Sequence, residues 1–432
     1  MTPKPRGGRF SPPPCGEGQG EGVARSLQFC ATPLPNPPPQ GGRESGRAMR
    51  VFLVAGETSG DHLGAPLMRA LRAARPDIAF AGVGAEEMAR EGLASLFPIA
   101  DISVMGLLPV LARLPRLLAR IETTARAAIE SAPDCLVLID APDFTHRVAR
   151  RVRARAPRIP IVDYVSPTVW AWRPGRARAM RAYVDHVLAL LPFEPAAHAR
   201  LGGPPCTYVG HPLIERLDEL TPTAAEARER ATLLVLPGSR LAEVTRLMPV
   251  YGETLALLQR KHGAFDAAIP VAPHVEAAVR AGLREWPIRP RLLTQEEKFP
   301  AFRRARAALV TSGVATLELA LAGVPMAVAY KVSPVEALLK FLVTVDSIVL
   351  PNLILGENAV PEFLQEQANP RALSEALASL LGDGPAREAQ LSAFALVRER
   401  ILAAGANPSA RAAKIILDYA MRGRATESAL RV

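Results

Sequence analysis

Short apolar runs, each ended by a turn rich in glycine or proline, recur along this chain at the spacing of strands alternating with helices. Val51–Ala55, Ala79–Gly84, Leu136–Ile139, Ile159–Val165 and Val187–Leu191 are such runs in the first half, and Tyr208–Pro212 reads as its last strand edge. Leu136–Ile139 is apolar at every position, which predicts a strand of a parallel sheet covered on both faces. A stretch rich in Glu, Ala and Thr at about 215–230 reads as a linker. The rhythm then restarts with LLVLPGSR at 233–240, followed by Ala267–Val271, Arg291–Leu293, Ala308–Val310 and Met326–Tyr330. The pattern predicts an α/β protein of two doubly wound halves, 49–222 and 223–370, with helices from about 371 to 422 completing a last segment, 371–432.

Two segments depart from that rhythm. Residues 1–48 hold ten prolines and no apolar periodicity, so a disordered tail is expected, with the working chain starting at Met49. In VMGLLPVLARLPRLLARIE, helical spacing puts Leu107, Val110, Leu111, Leu114, Leu117, Leu118 and Ile121 on one face and Arg113, Arg116 and Arg120 on the other. Leu108 adds to the apolar content, and Pro109 and Pro115 are expected to interrupt the helix. A core helix and an interfacial segment dipping into anionic lipid both fit that pattern. A further apolar stretch, Val335–Leu350, has Lys331 and Lys340 nearby.

The net charge of +10 favours a polyanionic or membrane-surface partner. Nucleic acid is disfavoured, because no zinc-ligand spacing accompanies the charge and aromatics make up 5% of the chain. Of the four cysteines, Cys15 and Cys30 lie in the tail and Cys135 and Cys206 form no motif, which points to a reducing compartment. No window is apolar enough to span a bilayer.

The candidate chemistry sits just past strand ends. Asp140 and Asp143 follow the Leu136–Ile139 strand, where a carboxylate is placed for proton transfer or for capping a helix expected from Thr145. Asp143 is read as the cap and Asp140 as the catalytic candidate. In GETSGDHLGA, Gly56, Gly60 and Gly64 permit close backbone approach, Ser59 or Asp61 suits a cap, and Glu57 is a third polar group there. The dinucleotide G-x-G-x-x-G fingerprint is absent. Gly238 and Ser239 offer N–H groups at a helix start, with Arg240 as a planar cation for phosphate. Ser312, Gly313, Val314, Ala315 and Thr316 head another helix in the same way, with Glu318 further along it in reach of a ribose and Asn352 in a turn at 351–353. Trp170 and Trp172 suit either base stacking or a core edge, and His211 either a phosphate contact, a general acid or a structural role.

Taken in order, AGETSGD at 55–61, VMG at 104–106, IDAPDF at 139–144, YVSPTVWAWR at 164–173, LPFE at 191–194, VGHP at 209–212, LPGSR at 236–240, SGVATLE at 312–318 and LPNL at 350–353 resemble the lipid-A-disaccharide synthase family, peripheral bacterial glycosyltransferases of lipid A assembly. The resemblance runs from about Met49 to Ala420 and implies two Rossmann-like domains facing a cleft, the GT-B-type glycosyltransferase architecture. It implies transfer of a sugar from UDP-2,3-diacylglucosamine to 2,3-diacylglucosamine 1-phosphate at the cytoplasmic face of the bacterial inner membrane, with no cofactor or metal. Asp140 would then take the acceptor's proton. Gly238, Ser239, Arg240, Ser312 to Thr316, Glu318 and Asn352 would hold the UDP-sugar, while Glu57, Ser59, Asp61 and His211 remain candidates for acceptor binding or support. The segment from Leu107 through Arg120 would contact anionic membrane lipid, and the last helices would pack back on the first domain or be exchanged in a homodimer. Many family members carry threonine where Val314 stands, which removes one hydroxyl from the diphosphate site. A UDP-sugar epimerase of the same fold and a non-catalytic membrane-docked UDP-sugar binder are the rival readings, but neither accounts for the full series of motifs.

Overall fold

The computed structural model describes residues 47–102, 107–228, 231–333 and 345–429, and in the helix beginning at Leu107 it describes side chains from Leu114 onward. The expectations for the tail, VMG at 104–106, Lys340 and the side chains of Leu107, Leu108, Val110, Leu111 and Arg113 lie outside what is described.

Two six-stranded parallel sheets organise the chain. The first contains β1 (Arg50–Ala55), β2 (Ala79–Val83), β3 (Cys135–Ile139), β4 (Ile161–Tyr164), β5 (His186–Ala189) and β6 (Cys206–Tyr208), in the order β2-β1-β3-β4-β5-β6. The second contains β7 (Thr232–Leu236), β8 (Ala267–Pro270), β9 (Arg291–Leu293), β10 (Ala305–Thr311), β11 (Met326–Tyr330) and β12 (Glu362–Leu364), in the order β12-β11-β10-β7-β8-β9. Helices cover both faces of each sheet, so successive side chains of one strand enter different cores. On β3, Cys135, Val137 and Ile139 face one core while Leu136 and Leu138 face the other. On β7, Leu233 and Val235 divide from Leu234 and Leu236 in the same way. That is why these runs read as uninterrupted apolar stretches.

Several boundaries differ from the sequence reading. The helix after β3 is Pro142–Arg155, beginning three residues earlier than expected, because proline at its first position already has the helical φ. Neither Ser59 nor Asp61 caps the Thr58–Ala74 helix, whose N-cap is Glu57 without a side-chain bond. The Asp61 carboxylate instead accepts from the N–H groups of Ala85 (2.7 Å), Glu87 (2.9 Å) and Met88 (3.2 Å), serving the short Glu86–Arg90 helix. The Leu107–Ser131 helix is continuous across its prolines. Residues 351–353 form no turn but lie in the Leu350–Leu355 helix. The 215–230 linker contains the short helices Leu217–Leu220 and Ala224–Arg228, and β12 has no counterpart in the sequence reading.

The last helices divide between the halves. Pro370–Leu381 packs against the second sheet through Leu373, Leu377 and Leu380, and Pro385–Leu402 covers that sheet's other face through Phe394, Val397 and Ile401. Only Pro408–Ala429 returns to the first sheet, burying Ala412, Ala413, Ile416 and Ala420. The chain therefore passes between the halves twice, and the passages are tied together. The Tyr208 hydroxyl donates to the Ile401 carbonyl (2.6 Å), and the Ser409 N–H donates to Glu215 (2.9 Å).

Just past β5, buried Glu194 holds the turn it follows: its carboxylate accepts from the N–H groups of Leu190 (3.1 Å) and Leu191 (2.9 Å) and from the Trp170 indole (3.1 Å). Trp170 also stands edge-on to Phe193, with ring centroids 5.1 Å apart, so this tryptophan closes a core edge while Trp172 is exposed.

Two outcomes test this account. A Cβ on Gly56 would lie 2.3 Å from the Cβ of Ala141, so Gly56→Ala is expected to cost about 1–3 kcal/mol in urea unfolding; an unchanged midpoint would contradict the close approach. Burial raises the Glu194 carboxyl to about 7, so the folded chain keeps a proton that the unfolded chain releases from about pH 4.5 upward. Wild type should therefore lose stability relative to Glu194→Gln as pH rises from about 4.5 to about 7, superimposed on a constant offset from the lost indole acceptor. A difference independent of pH would refute it.

Candidate active site

The carboxyl end of β3 turns sharply. Asp140 and Ala141 both adopt left-handed backbone conformations, with φ of 57° and 45°. Such strain in non-glycine residues persists only where the surroundings enforce it. Here the Asp140 N–H donates to Tyr164 (3.2 Å), and the buried Thr145 hydroxyl donates to the carbonyls of Asp140 (2.9 Å) and Ala141 (3.1 Å). The turn aims the Asp140 carboxylate toward the loop after β1. Ser59 donates to its Oδ2 at 2.6 Å and the Ala141 N–H to its Oδ1 at 2.8 Å. Gly60 permits this approach, since a Cβ there would meet the Ile139 carbonyl at 2.9 Å.

Glu57, the N-cap of the Thr58–Ala74 helix, lies near the same turn. Partial loss of water raises its carboxyl above the usual carboxylate range, the negative charge of Asp140 adds to that rise, and Arg240 opposes it. Glu57 is thus within electrostatic reach of two acids on its own half, Asp140 and Asp143, and of one cation on the other, Arg240.

Facing it, the loops after β7 and β10 enclose a cleft of about 380 Å³ lined by Gly238, Ser239, Arg240, Ser312, Gly313 and Val314, among others. Gly238 has φ of 114°, and a Cβ there would strike Glu243, whose carboxylate accepts from the Arg240 backbone N–H (3.3 Å) and from its guanidinium (2.9 Å). The Ser239 carbonyl lies 2.6 Å from His274 Nε2. Gly313, with φ of 150°, caps the Val314–Leu321 helix, so the N–H groups of Val314 and Ala315 open toward the cleft. These donors, the helix dipole and Arg240 are chemically suited to a diphosphate. Val314 is 52% exposed at its mouth.

Sequence reading missed the polar cleft residues Glu243, Gln295, Lys298 and Thr311. Lys298 Nζ lies 2.6 Å from Glu318 Oε2, and both line the wall. Thr311, at the end of β10, is buried, and its hydroxyl has no hydrogen-bond partner among the described residues. No motif flags Lys298, because it reaches the cleft from a helix distant in sequence; Thr311 reads simply as the last residue of a strand.

Other expected contacts are committed to the fold. The Thr316 hydroxyl is fully buried and donates to the Gly313 carbonyl (2.8 Å), so it does not replace the hydroxyl that Val314 lacks. Ser312 donates to the Ile348 carbonyl (2.6 Å). Buried Asn352 donates to the Val360 carbonyl (2.9 Å) and to Glu362 (2.8 Å) and accepts from the Val360 N–H (2.8 Å), so its amide pins the following loop rather than awaiting a ligand. His211 accepts from the Leu213 N–H (3.2 Å), and burial pushes its pKa down to about 4, which makes it a neutral cap and not a cation for phosphate. Asp61 is likewise taken up by backbone donors. Asp143 makes no cap bond; it is largely exposed and pairs with Arg176 at 3.1 Å.

Along the Leu107–Ser131 helix, Ile121 is buried and Leu117 packs inward, whereas Leu114 and Leu118 are 37% and 40% exposed. Arg116 and Arg120 both pair with Asp101, at 2.7 and 2.6 Å, and Arg120 covers the Phe97 ring. Among the described residues no helix is long and apolar enough to cross a membrane, and no three metal-ligating side chains are grouped.

The fold has solved counterparts. A UDP-GlcNAc 2-epimerase from Neisseria meningitidis superposes with a TM-score of 0.55 at 13% identity, covering 82% of this chain and all of that one. MurG of Acinetobacter baumannii superposes with a TM-score of 0.53 at 14% identity, covering 86% and 99%. At such identities the likeness establishes the two-domain architecture alone. Sequence decides more. The family model described as lipid-A-disaccharide synthetase matches residues 51–416. The lipid-A-disaccharide synthase of Nitrobacter hamburgensis is 55% identical over 392 residues, covering 88% of this chain and 99% of the relative. That of Ruegeria pomeroyi is 43% identical over 390 residues, covering 87% and 96%. With nearly the whole of its two domains matched at this level, the chain belongs to the lipid-A-disaccharide synthase family of glycosyltransferases.

Proposed function

We propose that the cleft transfers 2,3-diacylglucosamine from UDP-2,3-diacylglucosamine to the 6-hydroxyl of 2,3-diacylglucosamine 1-phosphate, giving the β(1→6) disaccharide 1-phosphate and UDP. The observation that carries this reading is the strained Asp140 turn, with its carboxylate oriented by Ser59 and Ala141 opposite a diphosphate-sized cradle. Asp140 accepts the proton of the acceptor hydroxyl as that oxygen bonds to the anomeric carbon. The bond from that carbon to the UDP oxygen breaks on the opposite face, so the configuration inverts and the electron pair leaves with UDP. Negative charge grows on the diphosphate during this step. The N–H groups at the start of the Val314–Leu321 helix, Arg240 and Lys298 stabilise it more in the transition state than before it. Glu318 then serves the ribose, with Lys298 holding it in place.

Both substrates carry acyl chains, so the reaction belongs at a membrane surface. We place the protein peripherally at the cytoplasmic face of the bacterial inner membrane, with Leu114 and Leu118 entering the leaflet beside anionic lipid. The rival readings differ in their products: an epimerase converts a UDP-sugar without a lipid acceptor, and a binder is indifferent to Asp140.

Turnover in mixed micelles tests the base. Asp140→Asn is expected to lose roughly 10²-fold or more in disaccharide formation while retaining UDP binding. Equal rates would remove Asp140 from that role. Flotation tests the surface: Leu114→Asp combined with Leu118→Asp should weaken capture on phosphatidylglycerol vesicles by about tenfold, since two apolar side chains leave the leaflet. Unchanged capture would assign those leucines no membrane contact.

A further inference from the structure

Beside the Asp140 turn lies a second open cleft of about 470 Å³, which shares no lining residue with the nucleotide cradle and is not used by the transfer step. It is lined by Arg147 and Arg150 of the Pro142–Arg155 helix, by Arg173 and Arg176 from the loop and helix after β4, and by Asp143 and His146. Four guanidiniums thus border one space in which Asp143 is the one carboxylate, and Asp143 already pairs with Arg176. Among the described residues no carboxylate pairs with Arg147 or Arg173. Arg173 is held in a left-handed conformation, φ 54°, and its carbonyl accepts from the Arg176 N–H (2.9 Å).

A buried network fixes the floor. Arg150 donates to the Tyr183 hydroxyl (3.3 Å) and lies over its ring at 4.7 Å. The Tyr183 hydroxyl is 3.2 Å from His146 Nδ1, and His146 Nε2 is 3.0 Å from Asp163 Oδ2. One assignment satisfies every member: Asp163 accepts from Nε2–H, Nδ1 accepts from the tyrosine, and the tyrosine oxygen accepts from Arg150. That holds Arg150 in place beside Arg147 and Arg173, and among the described residues no carboxylate pairs with any of the three. Planar guanidiniums converging from two elements suit a phosphate monoester, whose oxygens accept paired bonds from each.

The geometry points to this cleft as the subsite for the acceptor's anomeric phosphate. This rests on the transfer reaction proposed above. Asp143 lines the cleft three residues after Asp140, so a sugar 1-phosphate anchored by Arg147, Arg150 and Arg173 presents its far end, which carries the 6-hydroxyl, toward the base. The arginines position the acceptor and take no part in proton transfer.

The test uses the full chain in mixed micelles, with Arg147→Ala, Arg173→Ala, the double variant and Arg147→Lys, all at exposed positions. At saturating UDP-2,3-diacylglucosamine, the acceptor KM should rise roughly tenfold or more for each alanine variant, with the donor KM and UDP binding unchanged and partial recovery in Arg147→Lys. Wild type should prefer the phosphorylated acceptor over 2,3-diacylglucosamine lacking the phosphate, and the double variant should lose that preference. A lost preference cannot come from a merely structural defect. Capture on phosphatidylglycerol vesicles separates the other source of phosphate: variants that lose capture but keep the acceptor KM and the preference would assign the cleft to a lipid headgroup and overturn the proposal. If wild type forms disaccharide and no variant changes the acceptor KM, the subsite alone fails. If wild type forms none, the reaction fails and the subsite with it.

Discussion

A contact between two small residues governs this molecule. Gly56 at the end of β1 lies against Ala141 at the end of β3, with no room for even a methyl group on the glycine. Because these strands are neighbours in the sheet, their terminal loops must cross within van der Waals distance. The crossing forces Asp140 and Ala141 into left-handed conformations and brings Ser59 to the Asp140 carboxylate. Local strain of roughly 1–3 kcal/mol per such residue is affordable only because a sheet buried on both faces supports it. Position and orientation of the Asp140 carboxylate therefore derive from packing, not from any property of aspartate itself.

The two halves repeat one architecture with different electrostatics. At the first sheet's carboxyl edge sit acids backed by a belt of arginines; at the second sit helix N–H groups, Arg240 and the Lys298–Glu318 pair. Glu57, raised by desolvation and Asp140 yet restrained by Arg240, marks where the two sets face each other. On the proposed reading, two phosphate-bearing ligands are handled separately, one at each edge, with the reacting atoms between them. The paired chain passages at Tyr208–Ile401 and Glu215–Ser409 support that arrangement, and Leu191, Leu213 and Ile214 of the first half join the core that packs against the second sheet.

The strands were legible because both faces of each sheet are covered, so burial writes itself into continuous apolar runs such as Leu136–Ile139. The glycine-led helix start at 313 and Asp140 past β3 were legible for a related reason, since ligand sites in parallel sheets fall at strand ends. Polar residues in the interior were not. Asn352, His211, Asp61 and Thr316 looked like ligand groups and are instead bonded to backbone, because a buried polar side chain must find a partner and the nearest one decides its role.

By itself, then, the sequence determined the alternation of strands and helices, the two-domain class and the family, since these depend on local periodicity and on motifs read in order. Tertiary structure alone decided which polar groups face the cleft. Lys298 reaches Glu318, four arginines from two helices and a loop border one cavity, and only the last helix returns to the first sheet. The reason is physical: these are relations between residues far apart in the chain, fixed by how sheets stack and loops cross, and no local pattern of hydrophobic and polar positions encodes them.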